Sequence, residues 1–561
     1  MKKEQRVRGE RFLTKENIVD KGYLWFCALM ALVCLLLFAY NIGAYDLWAP
    51  DEPRYGEVSR EMMVNHNWVI PHLNNQIYYE KPPLYYMGTA LFAAIVRKMT
   101  VVTARLPVII LASLLVGILA YYVGKKSGKT LGLLTGAILA TTLNFSWFAM
   151  RLNLDIPLIF CTTLALLLLY EETGRAKSSC RSYLAFFLMG LGSLIKSPIA
   201  LLPAVIIVIY ALITKKWRDL KRIDWIKGFL VYFVVVGLWI IAALNKAGYS
   251  YFKVTVLDQI LGYSSGAEGH PNPFYYYLTT FPVEALPWSI FLIPVCYNLY
   301  KHRNQLPELI KFASIWFIST FVIFSVIGSK RGLYLLQLYP SFAIITAWYF
   351  EQHFTQLIKS NKGLKIPAVI FGSCLLLIGL FLFIKGDSIV AKVAATPFAD
   401  QAAYNLVISS LAWFAIIFGC FFGAALFQKD KRVILGITIA FSFGLILVLK
   451  GIVMPVVNPV KSERYLAEEL ARQRTANQPV GLWGSQNNDS GLIFYNGIYF
   501  DPVLNNSQAV KRFLKQPGGK ILVVSNDESF YKAFGRIFPA DWLVKKYNVG
   551  SENVLMIKVG R

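Results

Sequence analysis

The chain of 561 residues alternates apolar runs of roughly 18 residues or more with short charged segments. A run of that length is long enough to cross the hydrocarbon core of a bilayer as a helix. Only 16% of the residues are charged, whereas about 25% is typical of soluble domains. The sequence therefore predicts a polytopic α-helical membrane protein.

The net charge of +25 lies mainly in the segments between the apolar runs. A nucleic-acid-binding protein would cluster such charge on a soluble fold, so we predict no nucleic-acid partner. Basic loops instead indicate the cytoplasmic side of the membrane. The loops assigned to that side carry Lys125, Lys126 and Lys129; Arg175, Lys177 and Arg181; Lys215, Lys216, Arg218, Lys221 and Arg222; Lys301 and Arg303; Lys359, Lys362 and Lys365; and Lys429, Lys431 and Arg432.

The apolar segment 84–99 is predicted to lie along the membrane interface, because a crossing there would put the basic loop 125–129 outside. About thirteen spans remain. The basic residues ahead of the first apolar run predict a cytoplasmic N-terminus, and the odd number of spans then places the C-terminus outside. We expect a membrane domain, 1–455, with an outer first loop, 44–103. The spans are predicted near residues 23–43, 104–123, 130–149, 154–172, 183–196, 198–214, 228–246, 286–300, 308–327, 333–350, 366–385, 405–427 and 433–452.

Residues 456–561 have a different composition and predict a small outer α/β domain. Segments 480–483, 492–495 and 521–524 are typical of buried strands, and 509–515 and 529–538 of short amphipathic helices. No glycine-rich loop follows a strand, so the sequence does not indicate a nucleotide-binding fold.

The densest charge in the chain is the first-loop segment 51–62, Asp-Glu-Pro-Arg-Tyr-Gly-Glu-Val-Ser-Arg-Glu-Met. One interpretation is a helix start, with Asp51 as the capping carboxylate and a solvated stripe of ion pairs. The other is that Asp51 points into a cavity, where it accepts a proton or stabilises a cationic substrate. The two interpretations are compatible.

Residues 78–83, Tyr-Tyr-Glu-Lys-Pro-Pro, follow in the same loop. They are typical of an interface anchor, with tyrosines at headgroup level and proline starting a helix. Alternatively, Lys81 binds a phosphate leaving group and Glu80 is its partner or a metal ligand.

Three more turns fall on the predicted outer face. Asp155 opens an apolar helix and is typical of a cap. His270 lies in a long loop, and one histidine with one glutamate supplies too few ligands to indicate a metal site by itself. The basic turn 329–334 contradicts the positive-inside trend, and binding of a lipid phosphate explains it better than chance.

Together these clusters resemble the GT-C membrane glycosyltransferases, above all the bacterial lipid A 4-amino-4-deoxy-L-arabinose transferases, and next the protein O-mannosyltransferases. The resemblance rests on segments 51–55, 59–62 and 79–83 and covers nearly the whole chain. It implies a polytopic GT-C fold in the bacterial inner membrane. It also implies catalytic roles for Asp51, Lys81 and Asp155.

The same resemblance implies an undecaprenyl-phosphate sugar as donor and lipid A or another envelope glycan as acceptor, among membrane lipids. It implies a divalent cation (Zn, Mg or Mn) held by Glu80 and His270, and no nucleotide cofactor. The substrate-binding residues that it implies are Glu52, Tyr55, Tyr78, Lys330 and Tyr334.

The chain departs from the aminoarabinose transferases at Gly262, where their pattern has an arginine before the loop histidine. Lys253, Lys330 or Arg331 are the candidate replacements for this guanidinium. The predicted activity is inverting transfer of aminoarabinose or a related sugar. The alternatives are transfer of mannose or another hexose to protein and, in a different class, transport of a lipid-linked substrate.

Overall fold

The computed structural model describes residues 21–174, 179–196, 198–258, 271–393, 400–475, 478–484, 489–525, 527–535, 539, 542–549 and 552–559. Up to residue 461 the regular structure is almost entirely helical. Its helices are α1 (Lys21–Ala39), α2 (Asp51–Val64), α3 (Leu84–Ile95), α4 (Val101–Ser127), α5 (Lys129–Thr141), α6 (Leu143–Ala149), α7 (Asp155–Thr173), α8 (Cys180–Lys196), α9 (Leu202–Ile213), α10 (Trp225–Phe252), α11 (Tyr276–Glu284), α12 (Leu292–Lys301), α13 (Glu308–Val326), α14 (Tyr339–Phe354), α15 (Lys362–Val393), α16 (Gln401–Ala424), α17 (Arg432–Val448) and α18 (Met454–Lys461).

Within the described residues, nine helices are long and apolar enough to cross a membrane: α1, α4, α7, α10 and α13 to α17, some with flanking turns. Large apolar side chains such as Trp25 and Ile226 are 75% and 86% exposed on these helices. Such surfaces are stable against lipid and not against water. The protein is therefore a multi-pass membrane protein, as predicted.

The span count rises to eleven when two bent pairs are each taken as one crossing: α5 with α6, bent by 70°, and α11 with the segment 288–301, bent by 115°. The other two of the thirteen predicted spans are the shorter helices α8 and α9, of 17 and 12 residues. At about 1.5 Å per residue, neither alone reaches the roughly 30 Å of a hydrocarbon core. Helix α3, predicted at the interface, also has only 12 residues.

A hairpin in the first loop pairs β1 (His72–Leu73) with β2 (Gln76–Ile77). An isolated antiparallel bridge joins Pro271 to Ser329. The elements beyond residue 461 are α19 (Arg464–Gln473), β3 (Val480–Trp483), α20 (Ser490–Asn496), β4 (Val503–Leu504), α21 (Ser507–Lys515), β5 (Lys520–Val524), α22 (Asp527–Phe534), β6 (Trp542–Val549) and β7 (Glu552–Val559). Strands β3 to β7 form a five-stranded sheet in the order β4-β3-β5-β7-β6, and helices pack on both of its faces. The two neighbours of β3 are parallel to it, and β7 is antiparallel to both β5 and β6.

The predicted strand at 492–495 is wrong, because the segment forms helix α20. Leu492 and Ile493 pack into the core under the sheet, while Phe494 and Tyr495 contact the first loop. Since every side of this helical turn is covered, its apolar run carries no periodicity that distinguishes helix from strand. The strands at 480–483 and 521–524 are confirmed.

The sheet region packs directly against the first loop. Phe494 lies against Gly56 of α2, and the Tyr495 hydroxyl accepts a hydrogen bond of 2.7 Å from the backbone of Leu47. Asn74 exchanges two hydrogen bonds with the backbone of Phe500. The loop helix that carries the predicted catalytic segment is thus held between the membrane helices and the sheet.

Candidate active site

A cavity of about 430 Å³ lies where the first loop meets the ends of α7, α8 and α13. We call it the charged cavity. One wall is apolar and includes Phe324, Val326 and Ile327 at the end of a membrane span. The rest of the lining includes carboxylates and cations, so the cavity is amphipathic. The charged side chains lining it are Asp51, Glu80 and Asp155, and Arg54, Lys81, Lys196 and Arg331.

Asp51 is the first residue of α2, as predicted, but its carboxylate does not cap the helix. The N-cap residue is Pro50, and the Asp51 side chain instead receives Arg54 Nη2 at 2.5 Å. Arg331 Nη2 lies 3.6 Å from the other carboxylate oxygen. Asp51 therefore orients two guanidinium groups from different segments toward one cavity.

The helix α2 is also not the solvated helix of the first interpretation. Glu57 and Glu61 are fully buried, with Glu57 in a two-bond ion pair with Arg60 at 2.7 and 2.6 Å. Of the helix, only the first turn, with Asp51, Arg54 and Tyr55, lines the cavity. Its charges are used inside the protein and not for solubility.

Glu80 and Lys81 line the cavity from the loop that precedes α3. Arg54 Nη1 lies 3.2 Å from a Glu80 carboxylate oxygen, which also receives the Tyr78 hydroxyl at 3.1 Å. The Lys81 ammonium donates to the Glu80 carbonyl at 2.9 Å. Burial, and next the positive charge of Lys196, lower the pKa of Lys81 to about 8. This ammonium sits in a site that favours an added negative charge.

Asp155 begins α7, but its side chain does not cap the helix as predicted. The Asn153 side chain provides the cap instead. The Asn153 side-chain oxygen accepts from the backbone N–H groups of Asp155 and Ile156 at 3.0 and 2.9 Å. The Asp155 carboxylate instead receives Lys196 Nζ at 2.7 Å. That ammonium also lies 4.9 Å from the centre of the Tyr334 ring. Asp155 thus positions a lysine in the cavity.

Glu52 lies outside the charged cavity and only 1% of it is exposed. Arg105 donates to its two oxygens at 2.9 and 3.0 Å, and the backbone of Leu152 donates at 2.9 Å. Burial by itself raises the pKa of Glu52, but Arg105 and Arg151 outweigh it and lower the pKa to about 2. The structure therefore places Glu52 as an anchor of the first loop on the membrane helices.

The other predicted substrate-binding residues are divided. Tyr55 and Tyr334 line the charged cavity. Tyr78 does not line the cavity, but its hydroxyl donates a hydrogen bond to the cavity residue Glu80. Lys330 faces a second cavity, and its ammonium donates to the Asn272 carbonyl at 2.9 Å.

The predicted cation site is not supported by the groups around Glu80. Its carboxylate is engaged by Arg54 and Tyr78, whereas a cation needs several converging oxygen or nitrogen ligands. His270 and Gly262 lie outside the described residues. Where the structure is described, no group of three histidine, cysteine, aspartate or glutamate side chains converges on one point.

Sequence reasoning did not select Arg54 and Lys196, and it named Arg331 only as a replacement for the absent arginine. Lys196 had a usable signal. It ends an apolar run two positions before Pro198, on the face that the predicted topology assigns to Asp155. A basic residue at that end departs from the positive-inside trend in the same way as Lys330.

Residues 80–241 match the family model of the dolichyl-phosphate-mannose-protein mannosyltransferases. An uncharacterized protein of Aquifex aeolicus is 27% identical over 346 residues, which cover 60% of this chain and 66% of that protein. The undecaprenyl phosphate-alpha-4-amino-4-deoxy-L-arabinose arabinosyl transferase of Shewanella sediminis is 28% identical over 363 residues, covering 63% of this chain and 64% of the relative. The matched stretches thus span just under two thirds of these two relatives.

The fold matches ArnT from Cupriavidus metallidurans bound to undecaprenyl phosphate, with a TM-score of 0.76, 19% identity and coverage of 95% of this chain and 98% of ArnT. The archaeal oligosaccharyltransferase AglB from Archaeoglobus fulgidus matches with a TM-score of 0.53, 13% identity and coverage of 91% and 71%. The predicted resemblance to the GT-C membrane glycosyltransferases is confirmed.

Proposed function

We propose that this GT-C-fold protein is a glycosyltransferase that moves a sugar from undecaprenyl phosphate to lipid A or another envelope acceptor. The sugar is 4-amino-4-deoxy-L-arabinose or a close relative. The observation that carries the proposal is the charged cavity, which joins an apolar wall at a span end to four cations. An isoprenoid phosphate has this same division, an apolar chain ending in a phosphate.

In the proposed reaction an acceptor oxygen attacks the anomeric carbon of the donor sugar. A lipid A phosphate oxygen attacks as the anion, whereas an acceptor hydroxyl gives its proton to the departing phosphate. The bond from that carbon to the phosphate oxygen breaks with inversion, and the phosphate leaves with the electron pair. Lys81, Lys196, Arg54 and Arg331 surround the cavity and would stabilise the negative charge that develops on the phosphate. Asp51 holds the two arginines in position. No step in this scheme requires a metal ion or a nucleotide.

We further propose the inner-membrane topology of the sequence analysis, with the N-terminus in the cytoplasm and the charged cavity on the outer face. The division into a membrane domain, 1–455, and an outer α/β domain, 456–561, is part of this proposal. A donor that is already lipid-linked on the outer face needs no nucleotide there. The match of residues 80–241 to the mannosyltransferase model supports a second candidate, transfer of mannose to protein.

Mass spectrometry of lipid A from cells with and without the gene tests the proposal. We expect an added sugar mass only when the gene is present, with 4-amino-4-deoxy-L-arabinose distinguished from a hexose by its mass. Lys81→Ala should reduce transfer roughly 100- to 1,000-fold, as loss of one charge-stabilising donor does in other active sites. Asp51→Asn should also lose most transfer, because it releases Arg54 and Arg331.

Lys126→Ala is the matched control, because Lys126 pairs with Glu171 and lies outside the cavity. It should retain transfer at the same expression level. An unchanged lipid A mass together with glycosylated envelope protein would favour the mannosyltransferase candidate. Full transfer by both Lys81→Ala and Asp51→Asn would contradict the site assignment.

A further inference from the structure

A second cavity, of about 410 Å³, adjoins the charged cavity and shares Phe148, Arg331 and Leu333 with it. Its lining is mostly polar and includes Asn144, Asn272, Tyr276, Glu284 and Lys330. Because Arg331 lines both cavities, the second cavity is within reach of a sugar attached to a phosphate beside Arg331.

Glu284 is the single carboxylate among the described residues that line this second cavity. Its side chain is half-buried and receives the Asn144 amide at 3.3 Å. The described part of the chain places no lysine or arginine nitrogen within 4 Å of it. Asp51, Glu80 and Asp155 in the charged cavity all have such a partner. A half-buried carboxylate without a cation is costly, so a cationic ligand would stabilise it.

The backbone beside Glu284 leaves room for this carboxylate. A Cβ atom built at Gly332 would lie 1.8 Å from Glu284 Oε1 and 2.6 Å from Cδ. Any side chain at position 332 would therefore push the carboxylate away from its present place. Gly332 belongs to the same turn as Arg331 and Tyr334, so the turn that serves the charged cavity also leaves the space that the Glu284 carboxylate occupies.

We propose that Glu284 recognises the ammonium group of the donor sugar and thereby selects an amino sugar over a neutral one. This inference rests on the proposed function, since it names the sugar chemistry at the same site. It assigns the amine to Glu284 instead of Asp51, whose carboxylate already holds Arg54 and Arg331. A charge-assisted hydrogen bond contributes a free energy equivalent to roughly 10- to 100-fold in relative rate.

The test compares two donors with the full-length protein in detergent or liposomes, with one lipid A acceptor. One donor is undecaprenyl phosphate carrying 4-amino-4-deoxy-L-arabinose, and the other carries L-arabinose, in which a hydroxyl replaces the amine. We expect the wild-type protein to favour the amino sugar in kcat/KM by roughly 10- to 100-fold. Glu284→Gln should lower kcat/KM for the amino sugar alone and so remove this preference.

Gly332→Ala moves the carboxylate without removing it and should weaken the same preference. Glu308→Gln is the control, because Glu308 pairs with Lys216 outside both cavities, and it should retain the wild-type ratio. An unchanged ratio in Glu284→Gln, or an equal loss for both donors, would overturn the inference while transfer by the wild type upholds the proposed function. Transfer of neither sugar by the wild type would overturn both.

Discussion

Individual side chains in the charged cavity are positioned by partners from other segments. Lys81 illustrates the consequence, because burial and then Lys196 lower its pKa to about 8. The ammonium is charged below this pH and loses its proton as the pH rises through it. A reaction that needs the charge on Lys81 therefore weakens in alkaline solution.

We expect kcat/KM for sugar transfer to fall by about tenfold per pH unit above a pH of about 8, since kcat/KM reports the ionisation of the free enzyme. Initial rates at low donor concentration between pH 6.5 and 9.5 measure this decline of kcat/KM. Lys81→Arg retains its charge throughout that range and should remove the decline in whatever activity it keeps. A wild-type profile that stays flat to pH 9.5 would contradict the role of this ammonium.

Glu52 provides a second prediction for a single residue. Glu52→Gln leaves Arg105, which is fully buried, without its countercharge. Loss of one partner of a buried ion pair costs roughly 3–5 kcal/mol. The apparent melting temperature of the purified protein should therefore fall markedly. Glu468→Gln, which breaks an exposed pair with Arg464, should change it little; equal melting of both variants would argue against an anchoring role for Glu52.

Among the elements, α2 is the one on which the site depends. It presents Asp51 and Arg54 to the cavity at its start and packs against α20 in its middle. Gly56 permits this contact, because a Cβ atom there would lie 2.8 Å from Leu47 Cδ1 and 3.1 Å from a Phe494 ring carbon. Helix α2 therefore connects the sheet region to the charged cavity.

Gly56→Ala should displace Phe494, and overpacking of this kind costs roughly 1–3 kcal/mol. We expect faster proteolysis in the segment 461–507 and reduced sugar transfer. Gly88→Ala on α3 is the matched control, because its Cβ atom would meet nothing within 4 Å. If the two variants resist protease equally, the close approach of α20 to α2 is not needed to hold the sheet region.

For the whole molecule, the interface between the first loop and the sheet region contains a buried acid. Glu61 accepts backbone hydrogen bonds from Asn74 and Asn75 at 2.7 and 3.1 Å, and the Asn74 side-chain amide donates to the Phe500 carbonyl. Burial, and next the charge of Glu57, raise the pKa of Glu61 from 4.5 to about 8. The folded protein thus holds a proton there that the unfolded chain releases above a pH of about 4.5.

Between about pH 4.5 and 8 the folded state binds more protons than the unfolded chain. The stabilisation that Glu61 contributes is therefore complete below about pH 4.5 and is lost as the pH rises toward 8. The apparent melting temperature should include a declining contribution between pH 5 and 8. Glu61→Gln should remove that contribution, so the difference between variant and wild type should grow with pH. Parallel curves for the two proteins over this range would exclude Glu61 as its source.

The sequence alone determined the membrane class, the segments 51–62 and 78–83, and the strands at 480–483 and 521–524. These features depend on the length of apolar runs and on local charge, which are readable along the chain. The structure decided what the charges do. Asp51 and Asp155 look like helix caps in sequence, but in the structure both bind cationic side chains. A helix cap is a contact between neighbouring residues and can be predicted from the local sequence. An ion pair between distant segments exists only once the chain has folded.

The same limit explains Glu52, Lys196 and Glu284. From the sequence we predicted that Glu52, beside Asp51, binds substrate. In the structure it forms an ion pair with Arg105, fifty-three positions later in the chain. The lysine at the end of α8 departed from the positive-inside trend but showed nothing of its partners, and the glutamate at a helix bend carried no local signal of a cavity. Their roles arise where distant turns meet at one end of the helices. The periodicity of a sequence does not show which turns meet, because tertiary packing decides it.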